Sequence, residues 1–137
     1  QMSLYSTIRD AIVARLQSAV PAAQVLVEGS LEDQGSVADH VVFDLWGPDI
    51  VWDPSDVLSE VMQHRRWEWH LAVLIPGAGT ATDALAHTIC ESLATYLQGY
   101  APATNAQKIE LQQWVALGVG PIGTLYQLDF THTVFAG

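Results

Sequence analysis

Arg65-Arg-Trp-Glu-Trp-His-Leu-Ala-Val-Leu-Ile75 is the stretch that decides the fold. Taken alternately, Arg65, Trp67, Trp69, Leu71, Val73 and Ile75 leave on one side, and Arg66, Glu68, His70, Ala72 and Leu74 on the other. Side chains of an extended chain alternate between two faces. A run this long, rich in aromatic and β-branched residues, therefore predicts a central strand with one buried face. The neighbouring segments read as partners for it.

Directly after it, Pro76-Gly-Ala-Gly-Thr80 turns the chain into a helix. Leu85, Ile89, Leu93, Tyr96 and Leu97 give that helix an apolar stripe, and Gly99 a natural stop. Thr80 and Asp83 have the spacing of an N-terminal cap. Ala101–Gln107 reads as a loop. Lys108–Leu117 and Thr124–Phe135 then predict a hairpin around Gly118–Gly123, with Tyr126, Leu128, Phe130 and Val134 on one face of the last strand. Trp114 is out of phase with Ile109 and Leu111 unless Gln112-Gln113 forms a bulge.

Upstream, Leu4, Ile8, Ile12, Leu16 and Val20 recur every fourth position, which predicts an amphipathic helix opened by Ser3 and stopped before Pro21. Short strands follow at Gln24–Glu28 and Asp39–Trp46, separated by a polar loop and ended by Gly47-Pro48. From Gly47 to Gln63 two readings stay open. Ser55–Met62 is taken as a short helix capped by Ser55; the alternative is an extended arm that reorganises on a partner. The expected architecture is a single α+β domain over residues 1–137. It has a mostly antiparallel sheet of four to five strands, with two main helices packed on one face.

Half of the 137 residues are hydrophobic and only 15% are charged, enough apolar material for a real core. The net charge of −10, from 15 acidic and 5 basic residues, repels phosphates and argues against a nucleic-acid grip. Such a field also suits a wall that DNA slides past without sticking, although ordinary solubility charge gives the same total. Cys90 is alone, which excludes an intramolecular disulfide and a cysteine metal cluster. No basic patch followed by an apolar run opens the chain, and no apolar segment reaches membrane-spanning length. The expectation is a soluble protein, intracellular when made, without a signal peptide and not held in a membrane.

No constellation announces a reaction. Gly118-Val-Gly-Pro-Ile-Gly123 matches a dinucleotide fingerprint by letter, but it lies between strands and opens no helix. Gly77-Ala-Gly-Thr80 does join a strand to a helix N-terminus, where phosphates bind. It lacks a following lysine, and Asp83 puts negative charge in the first turn. His87 and Cys90 stand three apart on a helix with no orienting group. Glu68 and His70 share the polar face of the central strand and would meet Asp129 if the two strands were neighbours. His132, in phase with apolar residues, reads as a hydrogen-bonded core histidine. The expected catalytic, cofactor-binding and metal sites are therefore none. Trp46 and Trp52 flank the proline-containing link at the sheet edge, where they suit an interface anchor or, equally, a cap on the core. Together with Asp53, Arg66 and Glu68 they form the candidate interface.

Four stretches carry a family resemblance: the helix Ile8–Ala19, the strand Gln63–Val73, the helix opening at Asp83-Ala-Leu with Ile89 and Leu93, and the closing strand Leu128-Asp-Phe-Thr-His-Thr-Val134. In this layout the chain resembles the tail terminator, or tail completion, proteins of long-tailed phages, including those of Mu-like prophages. The resemblance rests on hydrophobic patterns spread over most of the chain. It implies a structural virion protein that forms a homohexameric ring, caps the tail tube, and presents a surface to the head–tail connector. It also implies partners in the tail tube protein, the connector and DNA passing through the channel without specific binding. No catalytic residue and no cofactor is implied. Neck adaptors and tube-like proteins are neighbouring roles with the same general layout.

Overall fold

The computed structural model describes residues 3–28, 39–52 and 63–136. Its elements are α1 (Leu4–Ala19), β1 (Gln24–Val27), β2 (Val42–Trp52), β3 (Gln63–Ile75), α2 (Thr80–Leu97), β4 (Glu110–Gly120) and β5 (Gly123–Ala136). The five strands form one sheet in the order β1-β2-β3-β5-β4. β1 runs parallel to β2, and every other pairing is antiparallel. This is the α+β class read from the sequence, with β3 at the centre.

Period-two patterning explains the sheet's inner face. Trp67, Trp69, Leu71, Val73 and Ile75 of β3 are buried, as are Phe43 and Leu45 of β2 and Tyr126, Leu128, Phe130 and Val134 of β5. Both helices press their apolar stripes onto this face: Ile8, Ile12 and Leu16 from α1, and Ala86, Ile89, Leu93 and Leu97 from α2. Each fully buried aliphatic side chain contributes on the order of 2 kcal/mol. Polar clasps fix how the helices lie. The ring of Tyr5 stacks on Trp69 with centroids 6.1 Å apart. Arg15 donates through Nε to the Tyr96 carbonyl at 2.9 Å, with its guanidinium 4.3 Å from the Tyr100 ring centroid. Ser92 donates to the Ala19 carbonyl at 2.7 Å.

Ser3 caps α1 as expected, accepting from the Ser6 N–H at 3.1 Å. The start of α2 differs from the expected cap. Thr80 is already helical, Gly79 occupies the cap position, and no side chain closes it. Asp83 turns instead to the sheet and accepts from the Tyr126 hydroxyl at 3.0 Å.

β2 also corrects the sequence reading. Gly47-Pro48 does not end the strand, which starts later than Asp39 and continues to Trp52. Proline has no N–H to give a ladder, and a register shift between Trp46 and Asp49 accommodates it. The Ser55–Met62 helix lies outside the described residues. A second register shift, between Leu111 and Gln113, brings Trp114 opposite Leu128 and stacks it on Tyr126 at 5.3 Å. That is the bulge its phase required. Between β4 and β5 the turn is Pro121-Ile122, and Gly123 has φ +142°. A Cβ there would sit 2.5 Å from the Ile75 carbonyl oxygen, so only glycine lets β5 begin against the end of β3.

Candidate interface on the open face of the sheet

The second face of the sheet divides in two. At the Val42–Leu74 end its side chains are buried, Val42, Asp44, Ala72 and Leu74 among them. At the Arg66–His70 end it is open, and an open groove of ≈ 510 Å³ runs over Arg66, Glu68, His70, Glu110, Gln112, Asp129 and Thr131.

His70 organises this end. Antiparallel pairing sets it directly opposite Trp46 on one side and Asp129 on the other. Its Nδ1 lies 2.7 Å from Asp129 Oδ1 and its Nε2 2.7 Å from Asp49 Oδ2. Trp46 stacks over the ring at 5.3 Å. An ionised carboxylate can only accept, so both contacts are hydrogen bonds when both ring nitrogens carry protons. Burial alone lowers the His70 pKa, but the hydrogen bonds and charges of Asp129 and Asp49 outweigh it and raise it above the ordinary 6.5. The imidazolium thus joins β2, β3 and β5 across the open face. Gln127 Nε2 donates to the same Asp129 oxygen at 2.9 Å and holds that carboxylate in place.

A pH dependence with a definite sign follows. A group whose pKa is raised by folding adds stability below its unfolded value near 6.5. That contribution fades as pH rises through the folded pKa. The stability gap between the parent chain and Asp129→Asn is expected to be wider at pH 5.5 than at pH 9, measured by urea unfolding. A gap that stays constant or widens toward alkaline pH would show that His70 is not charged in the folded chain.

Of the residues singled out in the sequence, the structure brings three together here. Trp46 is half-buried against His70. Arg66 donates to Glu68 Oε1 at 3.2 Å, two positions along the same strand. Trp52 ends β2 opposite Arg65, and Asp53 lies outside the described residues. Asp49 and Asp129 complete the His70 clasp. Asp129 was foreseeable from strand phase. Asp49 was hidden, because Gly47-Pro48 reads as a stop and the bulge that re-aims the chain has no clear sequence signal.

The alternative chemical sites take structural roles. Around Gly77–Thr80, Thr124 donates to the Gly77 carbonyl at 2.7 Å and Thr82 to the Pro76 carbonyl at 3.3 Å. Asp83 also places a negative charge in the first turn of α2, which disfavours an anion at this helix end. Burial, and then the charge of Glu91, push the Cys90 thiol up, away from the thiolate that a nucleophile needs. Among the described residues no group of three or more metal-ligating side chains is assembled, and no helix is long and apolar enough to cross a membrane.

Comparison with known protein families and with curated protein sequences finds no match. Comparison with solved structures finds a similar chain in the virion of a native gene transfer agent (GTA) particle. The two superpose with a TM-score of 0.70 over 99% of this chain and 100% of the other, at 14% sequence identity. At that identity the likeness establishes a shared fold across the whole chain.

Proposed function

We propose that this chain is a structural component of a phage-like virion, and more specifically a tail terminator. In this role it forms a ring, stops growth of the tail tube and joins it to the head connector. The observation that carries the reading is the end-to-end likeness to a chain of the gene transfer agent virion, with neither chain overhanging the other. Two features support it. The net charge of −10 suits a channel through which DNA passes without adhering. The open face offers a rigid surface, pinned by His70, with polar groups able to meet another subunit or the tube.

On this reading the partners are further copies of the chain, the tail tube protein and the head–tail connector. Trp46, Trp52, Asp53, Arg66 and Glu68 belong to contacts with them. The chain works in the virion tail and needs no cofactor. The test is to add the purified protein to polymerising tail tube protein and image the products. Tubes of limited length with extra density at one end are expected. Unchanged length distributions and bare tube ends would refute the terminator role.

A further inference from the structure

β4 is an edge strand, and it is unusual in what it leaves unguarded. Edge strands normally carry charges or prolines that discourage pairing with another chain. Here no residue from Leu111 to Leu128 is charged, and no proline occurs before Pro121 in the turn. Leu117 is 52% exposed and Val119 68% exposed. At its other end the strand is partly occupied, because the Leu111 N–H donates to Gln98 Oε1 at 2.9 Å. Among the described residues, the apolar half toward the hairpin is the open half.

Among the described residues, the far margin of the same sheet is only partly paired. β1 pairs with β2 only from Val42 to Leu45, whereas β2 continues to Trp52. On that continuation Ile50 and Val51 are exposed, and Asp49 already has its charge matched by His70. Among the described residues, one sheet therefore presents two apolar margins on opposite sides, with Asp49 the one acid between them and paired with His70.

We infer that the β4 margin of one copy of this chain pairs with the β2 margin (Asp49–Trp52) of the next, continuing the sheet from subunit to subunit. The inference rests on the ring reading and specifies its contact. Charge selects the occupant. Copies bearing −10 each repel one another, so they meet best where unmatched charge is least. Geometry selects the arrangement. Two different margins in contact make a head-to-tail interface, which generates a ring when its rotation closes. Main-chain hydrogen bonds supply the attraction, and Leu117, Val119, Ile50 and Val51 supply the apolar contact.

The test combines backbone exchange with a pair of matched charge variants. Amide hydrogen exchange in Val115–Gly120 and in Asp49–Trp52 is expected to slow when the protein is concentrated enough to assemble. Val119→Glu is expected to raise the assembly dissociation constant by at least about tenfold, since it buries an unpaired charge in the contact. Leu85→Glu adds the same charge at an exposed site on α2 and is expected to leave the constant within about twofold. Circular dichroism confirms that both variants are folded. Assembly that persists in Val119→Glu with fast-exchanging β4 amides overturns this contact and leaves the ring reading standing. Protection of β4 only when tail tube protein is added overturns it as well, assigning the margin to the tube. An unsubstituted chain that never assembles overturns both.

Discussion

Trp69→Ala is expected to lower unfolding free energy by about 4 kcal/mol, within the range for truncating a fully buried tryptophan. Trp69 is 1% exposed on the central strand, directly opposite Phe130. Its ring carries the stacking contact with Tyr5 that seats α1 on the sheet. Its Nε1 donates to His132 Nε2 at 2.9 Å, and both residues are buried. The substitution opens a cavity between the layers and leaves His132 without its donor. Trp46→Ala removes an indole of the same size from the half-buried open face and is expected to cost less than half as much. Urea unfolding of the three proteins measures both values. Equal losses would mean that the layer contact through Trp69 does not hold the domain together.

The second large effect is acid lability centred on His132. Because its Nε2 accepts from Trp69, the neutral ring carries its proton on Nδ1, buried next to the Thr133 backbone, whose pull on that proton is too weak to offset burial. Burial lowers its pKa from 6.5 to about 4. Between those two values the unfolded chain binds a proton that the folded chain refuses. Stability attributable to His132 therefore falls as pH drops from 6.5 toward 4, by about 3 kcal/mol in total. His132→Gln does not titrate there, so its stability should decline less over that window by about the same amount. The His70 effect has the opposite sign and is common to both proteins. Parallel stability–pH curves would show that His132 protonates freely in the folded chain.

These two histidines show how far the sequence could be read. His132 fell in phase with Tyr126, Leu128, Phe130 and Val134, and phase alone placed it in the core. Phase likewise put Glu68, His70 and Asp129 on one face, and strand neighbourhood then decided that His70 and Asp129 would touch. Period-two alternation and four-residue helical spacing are strong signals because burial enforces them over many positions. Bulges are weak signals. The shift at Leu111–Gln113 was recognisable only because Trp114 needed it. The one after Trp46 passed unseen, since Gly-Pro marks a stop more often than a kink within a strand. Asp49 was therefore missed as a partner of His70, and β2 was read six residues short. The first turn of α2 was misread for another reason. Thr80 and Asp83 satisfy the spacing of a cap, but Tyr126 from β5 competes for the carboxylate, and that competition is tertiary.

Light scattering behind a sizing column, repeated over a range of protein concentrations, tests whether copies of the chain close into a ring. A discrete species with a mass near six times the 14.9 kDa protomer is expected, growing at the expense of monomer as concentration rises. A monomer at every concentration, with and without tail tube protein, would contradict it.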